Sequence, residues 1–353
     1  MGNLSLNNVI KPEPGWYAGD FHLHTNLSDG YYAPDELVAL CKHHRLDFIA
    51  ITDHNTIAAF PEFSQDPHFL VIPGIEVSFN EGHWNVFGME GMQDWLEGIA
   101  GDQMVLPLKI TQRTTSEIMA QAAGKRLLNS INHPLLKPWE WQDRSTELEL
   151  VDCLEIWNDP LWPDNERDNP RAVAMWTDWL NAGYRVTAIG GSDFHFLPGE
   201  NDPYPGEYPG LPVTYVYAQS LSGAAILEGL RQRRAYLSMG PQVSFQASMD
   251  GRQYAIGADL GVVAGEIEFM AEINSNGQAK TVQLVKNGEV VAQNPIQSSR
   301  STFKFSQHAN PGEPTWVRLE LLDQQGKTIT ITNPIFYGPP TNPGKATFGD
   351  FLR

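Results

Sequence analysis

The stretch Gly19-Asp20-Phe21-His22-Leu23-His24-Thr25-Asn26-Leu27-Ser28-Asp29-Gly30 organises the chain. Trp16 to Leu23 is mostly apolar and aromatic, with Asp20 and His22 set into it, which is the pattern of a short buried strand. Thr25 to Gly30 is polar and ends in glycine, so it reads as a loop. Side chains alternate along a strand, which places His22 and His24 on one face. Two imidazoles on one face can chelate a divalent ion, and Asp29 on the following loop offers a carboxylate to a second. A histidine pair packed in a barrel interior and bonded to backbone has the same pattern, so the rest of the chain decides.

Outward from this stretch the same punctuation recurs. Pro34 to His44 has helical spacing; Leu46 to Thr52 is an apolar strand ended by Asp53-His54-Asn55. Phe69 to Ile75 is a strand followed by Glu76, and Gly82 to Gly88 is a strand bearing His83. A helix over Thr115 to Ala123, capped by Gly124, precedes a strand over Arg126 to Asn132 that stops at His133-Pro134. Leu150 to Trp157 is a strand ending in Asn158-Asp159-Pro160, and Pro170 to Asn181 is a helix. Tyr184 to Gly190 leads into Gly191-Ser192-Asp193-Phe194-His195, and the strand Val213 to Ala218 with the helix Ala224 to Arg233 completes the series. Strand, polar loop and helix repeated about seven times is the signature of parallel βα units, barrel or doubly wound. The polar residues fall at strand C-terminal ends, which a barrel gathers at one rim. Neither a GxGxxG nor a Walker sequence is present, which disfavours a nucleotide-binding sheet.

After Gly240-Pro241 the helical periodicity gives way to short alternating runs, and Asn287-Gly288 between two of them is a hairpin signal. The expected layout is an N-terminal extension over 1–15, a barrel over 16–240, an Ig-like β-sandwich over 241–335 and a Pro/Gly-rich tail over 336–353. A net charge of −18 without a basic stripe argues against a nucleic-acid surface, yet leaves room for an anionic small-molecule substrate where divalent cations dominate the local field. Cys41 and Cys153 are far apart and outside any CxxC pair, so no disulfide framework is expected. No signal peptide and no membrane-length apolar run is visible, and a cytoplasmic location is the expectation. Nothing in the sequence fixes the oligomeric state.

The strand-end residues His22, His24, Asp29, His54, Glu76, His83, His133, Asp193 and His195 include six of the ten histidines. Nitrogen and carboxylate ligands without cysteine suit Zn, Mn or Fe. The set exceeds the needs of one ion and fits two or three, with Glu76 or Asp193 able to bridge.

The blocks His22-x-His24 with Ser28-Asp29-Gly30, Thr52-Asp53-His54, Gly74-x-Glu76, Asn132-His133-Pro134 and Ser192-Asp193-x-His195 resemble the PHP (polymerase and histidinol phosphatase) superfamily in order and approximate spacing. The resemblance covers roughly Trp16 to Gly240. Glu76 with Gly82-His83-Trp84-Asn85, and the junction Tyr236-Leu237-Ser238-x-Gly240-Pro241, look like its carbaryl-hydrolase (CehA/McbA) branch. The resemblance implies a distorted (β/α)7 TIM-like barrel with up to three metals. It implies that His22, His24, Glu76 and Asp193 hold the first ion. Glu76 would bridge to a second ion on His83 and His133, and Asp29, His54 and His195 would hold a third. His83 departs from the pattern, lying closer to the glutamate than the matching histidine of many relatives.

The expected activity is metal-dependent hydrolysis of a phosphate mono- or diester by a metal-bridging hydroxide, with Glu76 and Asp193 in the catalytic cluster. Asp53 is the candidate proton donor, and it reads equally as a carboxylate that orients His54 or a neighbouring imidazole and as a capping carboxylate. The branch resemblance implies the alternative, hydrolysis of a carbamate, ester or amide. A non-catalytic metal-stabilised binding module is a third reading, disfavoured because every block is filled. Arg167, Arg171, Lys109, Arg231, Arg233 and Arg234 are candidate anion-binding cations, and Asn85 and Asn158 candidate substrate hydrogen-bonders.

Overall fold

The computed structural model describes residues 4–101, 106, 111–197 and 208–352. A short ladder joins β1 (Val9–Lys11) to β10 (Leu221–Ser222). The main sheet begins with β2 (Gly15–Asp20), α1 (Pro34–His43), β3 (Phe48–Ile51) and β4 (Leu70–Phe79), and these three strands run parallel. β5 (Gly82–Phe87) then returns as a hairpin, antiparallel to both β4 and β6 (Leu128–Ile131), with α2 (Thr115–Gly124) before β6. From β6 the sheet is again parallel through β7 (Cys153–Asn158), α3 (Asn165–Asn181) and β8 (Thr187–Gly191). β9 (Val213–Ala218), α4 (Gly223–Arg231) and β11 (Ala235–Ser238) follow, with β9 antiparallel to β2 and β11. The fold is thus α/β with a mixed sheet and, among the described residues, four α-helices.

Seven repeats of a parallel βα unit are therefore more than the chain builds. The β4–β5 connection is too short for a crossover helix, and a short connection dictates antiparallel pairing. The two ends of the run meet again: Leu23 and Phe194 form a parallel bridge, and Thr214 Oγ1 exchanges hydrogen bonds with Gly190 N and O. Alternation then separates two faces. Phe48 and Ala50, Leu70 and Ile72, Phe87, Leu128, Cys153, Ile189 and Val216 meet α4 in one cluster, while Ile49, Ile51, Ile75 and Val77 face the helices outside. Both Cys41 and Cys153 are buried free thiols.

α3 starts at Asn165, ahead of the Pro170 suggested by sequence. Asn165 and Asn169 are buried, and both donate Nδ2 hydrogen bonds to Asn158 O at 2.9 and 2.8 Å. That tie fixes the first turn to the end of β7 and leaves Pro170 in the second.

The C-terminal strands divide between two sheets. β12 (Gln242–Met249), β13 (Arg252–Ala255), β14 (Gly265–Asn274) and β17 (Arg300–Ala309) form a separate antiparallel sheet in the order β13-β12-β14-β17. β15 (Thr281–Lys286), β16 (Glu289–Pro295), β18 (Thr315–Leu322), β19 (Thr328–Thr332) and β20 (Ile335–Tyr337) extend the main sheet instead. Asn287 (φ 50°) and Gly288 (φ 93°) make the two-residue turn between β15 and β16, both with the positive φ that turn requires. Phe245 and Phe269 of the separate sheet pack with Val282, Leu284, Val317 and Leu319 of the main one.

The ladder crosses residue 240, since β11 pairs with β19 through Tyr236 and Thr332. Asn333, fully buried, accepts from Ala188 N and donates to Ala188 O and Ala235 O. The tail also packs: Phe348 is buried against Trp141 and Trp179, and Tyr184 Oη donates to Gly344 O. No helix of the described residues is long and apolar enough to cross a membrane.

Candidate metal centre

All nine candidate ligands converge at one rim. β2 stops at Asp20, but the extended segment through the Leu23 bridge keeps its alternation, so His22 and His24 emerge together, both fully buried. His54 follows β3, Glu76 lies within β4, His133 follows β6, and Asp193 and His195 follow β8. His83 arrives differently. It sits at the start of β5, opposite Ser78, and reaches the same rim because β5 runs against its neighbours.

Glu76 is the centre of the cluster. Its Oε1 lies 3.2 Å from His22 Nε2, 3.3 Å from His83 Nδ1 and 3.5 Å from His133 Nε2. Its Oε2 lies 2.9 Å from His54 Nδ1 and 3.5 Å from His24 Nε2. Asp193 Oδ1 is 3.0 Å from His22 Nε2 and 3.1 Å from His24 Nε2. Asp29, the most solvent-exposed carboxylate of the set, is 3.4 to 3.6 Å from His195, His54 and His24.

Three groups have donor atoms within 4.8 Å of one another: His22, His24, Glu76 and Asp193; His24, Asp29, His54 and His195; and His54, Glu76 and His83. The first matches the set implied by resemblance. The second adds His24 to it. In the third, His54 stands where His133 was expected, although His133 Nε2 still reaches Glu76 Oε1.

Burial alone would lower the imidazoles of His22, His54 and His133, but the carboxylates beside them draw all three above their ordinary value. Burial alone would raise Glu76, but the His22, His54 and His83 imidazoles hold it well below the usual carboxylate range. Asp193 is held down against burial by His22, His24 and His195. His24 is pushed to about 4, by burial first and then by His195 and His54, which keeps its nitrogens free to ligate. His22 Nε2, His24 Nδ1, His83 Nδ1, His133 Nδ1 and Glu76 Oε2 are buried without a hydrogen-bond partner. Buried polar atoms in that state are costly, and these five lie together on one set of N and O donors. The residues present therefore fit divalent metal ions.

A supporting layer was only partly legible in the sequence. Glu155, buried on β7, places Oε1 2.9 Å from His22 Nδ1, while its Oε2 accepts from His133 N at 2.7 Å. Its signal was a single charge inside the apolar strand Cys153–Asn158. Gly191 makes this contact possible, since a Cβ there would overlap His22 and Glu155. Asn132 Nδ2 donates to Glu76 Oε1 at 2.8 Å. Asp20 accepts from the backbone N–H of His22, Ser192 and Gly210, joining the two ligand-bearing segments, and burial raises its pKa to about 6. His133 (φ 25°) and Asp193 (φ 54°) hold left-handed backbone conformations, a local cost typical of functional positions.

Asp53 is placed differently from the expected proton donor. Both its oxygens are occupied by Thr25, from N at 2.6 Å and Oγ1 at 2.7 Å, and it is buried outside the cleft wall. It braces the His24–Gly30 loop. The cleft beside the cluster is lined by Asp29, His54, His83, His133, Asp193 and His195, with Leu136, Trp139, Asn158, Asp159 and Trp162. Asn158 donates Nδ2 to Asp193 Oδ2 and Glu155 Oε2; Asn85 donates to Phe21 O instead. Arg167 and Arg171 both pair with Asp168, and Arg231 donates to Arg126 O. Lys109 lies outside the described residues. No arginine or lysine of the described residues lines the cleft.

Residues 20–147 match the family model described as the PHP domain. Over 64 residues, 17% of this chain, the sequence is 44% identical to the 5'-3' exoribonuclease Rnm of Salmonella typhimurium. The chain spans about a fifth of that relative's length (22%). A two-domain protein from Bacteroides vulgatus, described as containing a predicted PHP-like metal-dependent phosphoesterase, aligns over 94% of this chain and 100% of its own. That alignment has 17% identity and a TM-score of 0.47. An amidohydrolase from Chromobacterium violaceum, solved with sulfate and no metal, aligns over 52% of this chain and 89% of its own, at 16% identity and a TM-score of 0.35. Residues 20–147, which carry the candidate ligands from His22 to His133, thus match the PHP domain, with Asp193 and His195 beyond the matched stretch.

Proposed function

We propose that the chain is a metal-dependent phosphoesterase acting on a small anionic phosphate mono- or diester. The supporting observation is the convergence of orphaned buried donors on Glu76 in a cleft whose described walls carry no arginine or lysine. Among the described residues no side-chain cation lines this cleft, and the charge of an anionic substrate would be matched there by ions that these donors hold. His22, His24, Glu76 and Asp193 would hold one divalent ion, Zn, Mn or Fe, and His24, Asp29, His54 and His195 another. Glu76 would bridge to a further ion on His83 with His54 or His133. Such ions supply Lewis acidity, lowering the pKa of water and neutralising charge on phosphoryl oxygens.

The protein's own part is positional. Glu155 and Asn132 orient His22 and Glu76; Asp20 and Asp53 fix the two segments that deliver His22, His24 and His195. Glu76 and Asp193, kept ionised by the imidazoles around them, hold the negative charge that makes the site selective for cations. The mixed sheet is read as a distorted TIM-like barrel whose βα repeat is interrupted by the antiparallel β5 and β9, supported by the Leu23–Phe194 bridge that reunites its ends, and the two facing C-terminal sheets as a β-sandwich. The match to an exoribonuclease, an enzyme that cleaves phosphodiesters, points the same way.

The test is a panel of phosphomonoesters, phosphodiesters, carboxylic esters and aryl carbamates, offered to protein reconstituted with Mn, Zn or Fe. Phosphate esters should be hydrolysed fastest, and inorganic phosphate should inhibit competitively. Full metal content with turnover of carbamates alone would replace this reading with the carbamate-hydrolase one.

A further inference from the structure

Exposed aromatic side chains are few among the described residues, and all follow candidate ligands in the chain. Among the described residues only Tyr31 (74% exposed), Phe196 (43%) and Trp139 (40%) qualify. Each belongs to a loop that also carries a candidate ligand in the cleft wall. Tyr31 lies just beyond Asp29, Phe196 is next to His195, and Trp139 is on the loop that begins at His133. The Tyr31 loop is further tied to that of Phe196, since Tyr31 N donates to His195 O at 2.8 Å. Trp139 itself lines the cleft together with Trp162, their rings 6.1 Å apart and 72° to one another, an edge-to-face pair.

Leaving large apolar rings in water is unfavourable, and an exposed indole backed by a second one in the wall of a cleft marks a surface that something apolar covers. Two features narrow what that is. The indole and phenyl faces favour a flat ring over a branched aliphatic group. The absence of cationic side chains from the described cleft walls leaves the ester's anionic end to the metal ligands and its organic end to the aromatics.

We infer that Trp139, supported by Trp162, seats a planar aromatic ring on the organic portion of the phosphate ester. The inference rests on the phosphoesterase reading and names its substrate class: a phosphate ester carrying an aryl or nucleobase ring. Trp139 is the specificity-determining residue.

Matched pairs test it without the confounding effect of leaving-group acidity. 2-Phenylethyl phosphate and hexyl phosphate release alcohols of similar acidity but differ in the ring. A nucleoside 5′-monophosphate and ribose 5-phosphate differ only in the base. With full-length, metal-loaded protein, kcat/KM should favour the ring-bearing member of at least one pair by about tenfold, the worth of one stacking contact. Trp139→Ala should bring that ratio to near one, and Trp139→Phe should keep most of it. A preference confined to the nucleotide pair identifies the ring as a nucleobase; one confined to the phenylethyl pair identifies a simple aryl ester. Ratios near one in both pairs, or a preference unchanged by Trp139→Ala, overturn the inference while leaving the phosphoesterase reading intact. Saturation-transfer NMR with 2-phenylethylphosphonate supplies a readout independent of turnover. If no phosphate ester is hydrolysed, ring-proton saturation lost in Trp139→Ala upholds the aromatic seat although the phosphoesterase reading falls. Without that saturation, both fall.

Discussion

His22 Nδ1 lies 2.9 Å from Glu155 Oε1 in a region closed to solvent, and Glu155 Oε2 simultaneously accepts from the backbone N–H of His133. One carboxylate thus sets the ring of one candidate ligand and the backbone of another, leaving His22 Nε2 directed at Glu76 and Asp193. Carboxylate partners of this kind fix a ligand's tautomer and raise its basicity. Glu155→Gln should weaken metal binding by about 10- to 100-fold, the usual cost of losing such a partner. Competition with a chromophoric chelator measures this, and far-UV circular dichroism should show an unchanged fold. Unaltered metal affinity would reduce Glu155 to a packing role.

Glu76 lies within 3.5 Å of five imidazoles, whereas His83 faces Glu76 at 3.3 Å and belongs to one compact group. Glu76→Gln removes a charge that more than one ion would share, so it should lose more metal per chain than His83→Asn. Elemental analysis of the two purified variants decides, and equal metal content would contradict a bridging Glu76.

Metal removal should destabilise the fold as well as stop turnover. The cluster buries Glu76 and carries orphaned donors on His22, His24, His83 and His133. An ion present at a thousandfold excess over its dissociation constant contributes about 4 kcal/mol per site to the folded state. Calorimetry with and without chelator should show a lower Tm on stripping, restored by adding back Mn or Zn. A Tm indifferent to chelator would count against the site.

Asn333 reaches from the C-terminal strands to Ala188 on β8 and Ala235 on β11 through three hydrogen bonds in a fully buried position. Asn333→Ala leaves one buried N–H and two carbonyls without this partner, at a cost of about 2–4 kcal/mol. Chemical denaturation should show the midpoint fall for a single transition spanning both sheets. A second, separate transition would mean that the ladder across residue 240 does not couple them.

The candidate ligands were legible because chelation demands particular side chains, and those stand out beside apolar strands: His22, His24, His54, His133, Asp193 and His195 follow strand ends, while Glu76 is the acid inside β4, which runs on to Phe79 beyond the end expected at Ile75. The short strands with their Asn287-Gly288 turn were legible for a similarly local reason, since a positive-φ turn has few acceptable residues. Tertiary structure alone decided what depends on partners distant in sequence. Strand direction is one case: the β5 hairpin and the merging of β18 and β19 into the main sheet are pairings that alternation does not encode, because a period of two reads the same in parallel and antiparallel ladders. The carboxylates are the other. Asp53 just beyond β3 and Glu155 inside β7 are both buried acids, yet one binds Thr25 and braces a loop while the other orients His22. Their sequences could not separate them, since a carboxylate's role is set by the donor that folding brings to it.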